Sequence, residues 1–105
     1  MLRIFVHYGI HFLIPFVVAF IFYRKTFQIS IFILLAGILI DIDHLFANPI
    51  FDPNRCSIGF HPLHSYVAIA LYILLLLFSK TRIFGLALII HIIADVCDCL
   101  MMPSN

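Results

Sequence analysis

Charge is what this sequence has least of. Its 105 residues include six Lys or Arg and five Asp but no Glu, so charged side chains make up 10% of the chain, against about a quarter in soluble proteins. With no basic stripe there is nothing to neutralise a phosphate backbone, and nucleic acid is not an expected partner. Hydrophobic residues reach 65% and the mean hydropathy is +1.20, which excludes an ordinary soluble domain. Cysteine is scarce too. Cys56, Cys97 and Cys99 form no Cys-x-x-Cys pair and no disulfide framework, and they read as small buried residues, with a bridge from Cys56 to the end of the last helix left open on an oxidising face. No internal repeat or low-complexity tract is present. The first apolar segment lacks a small-x-small cleavage site and ends on Tyr23-Arg24-Lys25, so it is expected to stay as an anchor rather than leave as a signal peptide.

What remains is apolar and comes in four lengths. Breaking the chain at its basic clusters and its one Pro-rich stretch leaves segments of roughly 4–23, 27–46, 62–78 and 83–102, each near the ~20 residues that carry a helix across the hydrocarbon core. Strand-length alternation is missing, which excludes a barrel, and lipid offers a bare backbone no partner. The short connections Arg24-Lys25-Thr26 and Ser79-Lys80-Thr81-Arg82 force antiparallel neighbours. The expected fold is a single all-α transmembrane domain over residues 1–105, an up-down four-helix bundle. Residues 47–61, ANPIFDPNRCSIGFH, are the one long connection and are expected to form a lid. Arg24, Lys25, Lys80 and Arg82 share one side, against Arg3 and Arg55 on the other, so the positive-inside rule puts both termini outside the cytoplasm.

The ionisable residues are not spread over this bundle. His7 and His11 start helix 1, Asp41, Asp43 and His44 end helix 2, His61 and His64 open helix 3, and His91, Asp95 and Asp98 lie toward the end of helix 4. Because alternate helices run in opposite directions, all six histidines and four of the five acids fall at one level, in the non-cytoplasmic half. The other half has no ionisable side chain within its apolar runs except tyrosine. Pairs three or four apart share a helix face: His7 with His11, Asp41 with His44, His91 with Asp95, and Asp95 with Asp98. Asp43 is out of phase with Asp41 by about 200°, which requires either a loosened helix or a second role for Asp43. Gly37, Ser65 and Ala68 are small residues near the same inner surface and are expected to leave room for ions or substrate.

Taken alone, a histidine at a membrane interface is an ordinary hydrogen-bonded side chain. Several carboxylates together inside an apolar bundle are different, since they repel one another and take up protons unless something positive shares the site. No lysine lies among them. A metal cation is the simplest compensation, and mixed imidazole and carboxylate donors suit Zn²⁺ first, with Mn²⁺ or Fe²⁺ as alternatives. The expected ligands are His7, His11, Asp41, Asp43, His44, His61, His64, His91 and Asp95, a surplus that allows one or two ions. Asp43 or Asp98 is the expected general base.

The motifs carry a resemblance. Asp41-Ile42-Asp43-His44, then His61 and His64-Ser65 opening a helix, then His91-Ile92-Ile93-Ala94-Asp95, resemble the small prokaryotic integral membrane proteins described as LexA-regulated, membrane-bound metal-dependent hydrolases. Their pattern is an early histidine, an Asp-x-Asp-His, a His-Arg-x-x-Thr-His-Ser and a late His-x-x-x-Asp. The resemblance implies a bacterial inner-membrane location and metal-site roles for His7 or His11, Asp41, Asp43, His44, His64, His91 and Asp95. The middle motif departs from the pattern, reading His61-Pro62-Leu63-His64-Ser65 without the arginine. Either Arg55 replaces that arginine or the substrate differs.

The expected activity is therefore metal-dependent hydrolysis of an ester or phosphoester in a lipid-like or amphiphilic substrate at the non-cytoplasmic face. Membrane lipid is the expected surrounding, and a homo-oligomer is compatible with it. The alternative is a structural or transport-related metal-binding protein. Transport needs polar groups along the whole path, and the inner halves here are apolar. A haem carrier would place the aspartates in a pocket that should be apolar.

Overall fold

The computed structural model describes residues 2–46, 56, 58–59 and 61–102, and among these every regular element is helical. Helix α1 runs Leu2–Phe22. Helix α2 begins as an α-helix over Phe27–Leu35 and continues as a 3₁₀ helix over Ala36–Phe46. Helix α3 is Tyr66–Leu76 and α4 is Arg82–Leu100. A single 3₁₀ turn, Arg24–Thr26, joins α1 to α2.

Three of the four helices are long and apolar enough to cross a membrane, and α3 is not. Its 11 residues rise about 16 Å, roughly half of the ~30 Å hydrocarbon core. The expected crossing over 62–78 is shortened at both ends. Pro62–His64 forms a separate 3₁₀ turn, Ser65 is extended, and its hydroxyl caps α3 by accepting from the Ala68 amide at 3.2 Å. At the other end the Thr81 hydroxyl donates to the Leu75 carbonyl at 2.8 Å and Arg82 Nε donates to that of Leu76 at 2.9 Å, which closes the helix early. The expected lid over 47–61 lies outside the described residues, apart from Cys56, Ile58, Gly59 and His61. Cys56 is bonded to Cys99, so the segment preceding α3 is tied to the last turn of α4.

The distribution of polarity is that of a membrane protein. Phe5, Phe20, Ile29, Phe32, Leu39, Val67 and Leu77 all face outward, whereas His11, Ser30, Asp43, His61, His64, His91 and Asp95 are buried. Helix α4 packs against each of the other helices and holds the longest run of buried positions, including Gly85, Ala87, Ile90, His91, Ala94 and Asp95. Small residues let the backbones approach, as is usual between helices in lipid. A Cβ on Gly37 would collide with the Ala87 carbonyl oxygen of α4, and one on Gly85 would meet Tyr72, Leu75 and Leu76 of α3 at 3.0 Å. Gly37 thus serves close packing and also borders an apolar cavity with Ile33, Phe84 and Leu88, Ser65 is a helix cap, and Ala68 belongs to an apolar cluster with Ile40, Tyr72 and Ile92.

Gly37→Ala should destabilise the fold by about 1–3 kcal/mol through overpacking. Gly9→Ala, where a Cβ meets nothing within 4 Å, should cost far less. Thermal unfolding of both variants in detergent, followed by circular dichroism, reads the difference.

Candidate metal centre

The two helices that begin the chain abandon regular α geometry at the level where the polar residues gather. In α1 the turn Gly9–Leu13 is a π-helix, placed just before Pro15. Proline lacks the N–H that would bond the carbonyl four residues back and its ring crowds that carbonyl, so a widened turn accommodates it. His11 lies in this turn and is buried.

In α2 the pitch tightens instead. Buried positions run Ser30, Leu34, Gly37, Ile40 and Asp43, so the spacing shortens to three once the 3₁₀ segment begins. At 100° per residue Asp43 would lie about 180° from Leu34 and face lipid, but with 120° steps from Ala36 onward it comes to within about 40°. The same change moves Asp41 from about 20° to about 80° off that line. Observation agrees: Asp43 is 1% exposed, while the Asp41 side chain remains 38% exposed. The phase conflict between these two aspartates is resolved by giving them different places.

Four side chains converge from α2, the turn before α3, and α4. His64 Nε2 lies 3.3 Å from Asp41 Oδ1 and 2.9 Å from Asp95 Oδ2, and His91 Nε2 lies 3.0 and 3.1 Å from the same two oxygens. The two Nε2 atoms are themselves 3.1 Å apart. These are five of the six edges of a four-cornered figure, each 2.9–3.3 Å. Donors held 2.0–2.1 Å from one tetrahedral ion stand about 3.3 Å apart, so the set has the dimensions of a transition-metal site.

The hydrogen bonds behind His64 are compatible with the same reading. Asp43 Oδ2 accepts from the Leu63 amide at 2.8 Å and from His64 Nδ1 at 2.9 Å. A neutral His64 that donates through Nδ1 would present its Nε2 lone pair to an ion, and carboxylate-held histidine of this kind is the usual support of a metal ligand. Two ring nitrogens facing each other among carboxylate oxygens need positive charge between them. His91 Nδ1 is buried with no hydrogen-bond partner among the described residues.

His64 is fixed from behind. Its amide donates to the His61 carbonyl at 3.0 Å, and its own carbonyl accepts from the Gly59 amide at 2.9 Å, with Gly59 at φ +78°, a conformation that suits glycine. The Tyr72 hydroxyl donates to the Leu63 carbonyl at 2.7 Å.

The remaining expected residues take other places. His7 and His11 form a second donor group around Asp95. His61 is buried beside His64, ring centroids 5.7 Å apart, but belongs to neither donor group. The side chain of His44 lies outside the described part of the structure. Asp43, expected both as ligand and as general base, lies in neither donor group and is hydrogen-bonded to His64 Nδ1. Asp98, the other expected base, is held by Arg3 through Nε at 2.6 Å and Nη2 at 3.0 Å, a two-point ion pair between α4 and α1. Nothing in the sequence marks Arg3 as the partner of a residue 95 positions away, and the facing ends of α1 and α4 were the only signal for it.

Residues 1–102 match the model of a family of unknown function, DUF6122. No curated protein and no solved structure matches the chain.

Asp43→Asn should weaken Zn²⁺ binding by about 10- to 100-fold, because the ligand set survives while the support of His64 is lost. Asp98→Asn, which belongs to neither donor group, should leave it unchanged. Competition titration against a chromophoric chelator measures both.

Proposed function

The chain belongs to that family of unknown function, and we propose that it is a membrane-embedded metal-dependent hydrolase acting on an ester or phosphoester of a lipid-like, amphiphilic molecule. One observation carries the reading: Asp41, His64, His91 and Asp95 bring four donor atoms together inside an otherwise apolar helical protein. Two imidazoles with two carboxylates favour Zn²⁺, with Mn²⁺ or Fe²⁺ next. A divalent ion in such a site acidifies water and polarises an ester or phosphoryl oxygen.

The protein's own residues supply position and access. Asp43 sets the ring of His64, and the burial of His64, His91 and Asp95 keeps bulk water from three of the four donors. Asp41 is the exposed member, so substrate would arrive at its side. Arriving molecules come from a boundary with lipid, since Ile38, Leu39, Ile42 and Leu45 beside Asp41 all face outward. This favours a substrate with an apolar body and a polar ester head.

Two features support a non-cytoplasmic site. Arg24, Lys25, Lys80 and Arg82 lie at the opposite end, and a disulfide joins Cys56 to Cys99 at the site's own end, as suits an oxidising compartment. With the resemblance of the His/Asp motifs to membrane-bound metal-dependent hydrolases, the inner membrane of a bacterium is the expected location.

A structural role is the second reading, and the spacing of the donors favours it specifically. Four donors at tetrahedral separations fit a closed zinc site that holds a fold without doing chemistry. Purified protein in detergent micelles separates the two. An enzyme should hydrolyse a p-nitrophenyl ester of a long-chain acid or a p-nitrophenyl phosphodiester of a long-chain alcohol, lose turnover on chelation while keeping its helical circular dichroism, and regain it with Zn²⁺ or Mn²⁺. His91→Ala should bind no ion at this centre and be inactive, yet insert in membranes like the parent. Unfolding on chelation with no turnover beforehand would leave the structural role.

A further inference from the structure

Asp95 has a second oxygen. While Oδ2 faces His64 and His91, Oδ1 points toward α1, where it lies 3.9 Å from His7 Nδ1 and 4.0 Å from His11 Nε2. These separations are too long for hydrogen bonds. They exceed the separation of about 3.3 Å between donors at the tetrahedral angle of one ion, so the three would draw in by about half an ångström to share it.

The burial of His11 points the same way. It is 6% exposed, and its Nε2 has no hydrogen-bond partner among the described residues although it is aimed at a carboxylate. The His7 and His11 rings stand edge to face with centroids 4.4 Å apart, a pairing that brings both to the same oxygen. His7 Nδ1 has one other contact, a long 3.4 Å approach to the Ala94 carbonyl, which it can surrender to an ion at small cost. The π turn over Gly9–Leu13 is what turns His11 inward beside His91, with ring centroids 4.4 Å apart.

We propose that His7, His11 and Asp95 Oδ1 hold a second divalent transition-metal ion, so that Asp95 bridges two ions. This rests on the metal-centre reading above and names the substrate class within it. With neutral imidazoles, one ion leaves Asp41, Asp43 and Asp95 in excess by one negative charge. A second ion reverses the balance to one positive charge, while Arg3 already neutralises Asp98. A one-ion centre repels an anion. A two-ion centre attracts one, and pairs of ions bridged in this way are the usual means of gripping a phosphoryl group from both sides. Such a centre thus favours a phosphoester over a neutral carboxylic ester.

Titration of metal-free protein with Co²⁺, read by absorption and elemental analysis, tests the assignment. The parent should take two ions per chain, and His11→Ala and His7→Ala should each take one while keeping native helical circular dichroism and a single elution peak. Mn²⁺-loaded parent should give the electron paramagnetic resonance signature of two coupled ions, and His11→Ala that of an isolated ion. Inorganic phosphate should bind the two-ion parent and fail to bind the one-ion variants by calorimetry. One ion per chain in the folded parent, lost in His91→Ala and retained in His11→Ala, overturns the second site. That result, if the parent still showed metal-dependent turnover, would leave the hydrolase standing. Two ions without turnover on any ester would instead uphold the second site and remove the hydrolase.

Discussion

A carboxylate buried among hydrocarbon needs positive charge close by, and Asp95 is where this requirement is concentrated. It sits on α4, which packs against each of the other helices, and its oxygens look toward His64 ahead of α3, His91 on its own helix, and His7 and His11 on α1. The rest of the arrangement can be understood as bringing those partners to it. Gly37 and Gly85 remove side chains where α2 and α3 must approach α4, which draws Asp41 and His64 within reach. The buried ring nitrogens left without hydrogen bonds, His11 Nε2 and His91 Nδ1, belong to residues at this junction. Unsatisfied buried groups are costly, and their gathering at one point is what a site completed by a cation should look like.

The end of α4 beyond the junction is secured twice. Asp98 is clamped by Arg3 of α1, and Cys99 is bonded to Cys56 ahead of α3. Both ties fall within about one turn of Asp95. In lipid the apolar effect does little to draw helices together, so a covalent link and a two-point ion pair near the water boundary give the site end a definition that packing alone would not. The opposite end is held by lesser means, such as the Arg24 guanidinium 4.6 Å over the Phe20 ring and the Thr26 and Ser30 hydroxyls 2.9 Å apart.

Much of this was legible in the sequence, and the reason is directional. Antiparallel helices turn positions along a chain into levels, so His7, Asp41, His64 and Asp95 could be placed at one height without knowing how any helix was rotated. The all-helical fold and a His/Asp group able to hold an ion come from levels alone. Roles that depend on rotation were not legible. Asp43 was out of phase under α geometry because the change to 3₁₀ pitch at Ala36 leaves no clear signal in AGILIDIDHLF. Asp98 shares a face with Asp95 by spacing, but its partner is chosen by the height of Arg3 at the far end of the chain. The shortness of α3 was hidden for a related reason: Ser65 interrupts an apolar run in geometry without interrupting it in hydropathy.

The two irregular helices show how a membrane allows side chains to be re-aimed. A soluble protein can break a helix and let water satisfy the loose backbone, but hydrocarbon forbids this because every exposed N–H and C=O costs several kcal/mol. Changing the pitch avoids that cost, since both 3₁₀ and π turns keep the backbone bonded while rotating the residues beyond them. A 3₁₀ run of 11 residues is long beside the usual three or four, and its poorer hydrogen bonds must be offset by something. The tightening achieves the burial of Asp43 behind His64 and the half-exposure of Asp41. Neither gain has value to an empty apolar bundle, where a regular α-helix with leucine at both positions would be more stable. The distortion in α2 lies where it sets Asp43 behind His64 and leaves Asp41 accessible, the two placements on which a His/Asp group able to hold an ion depends.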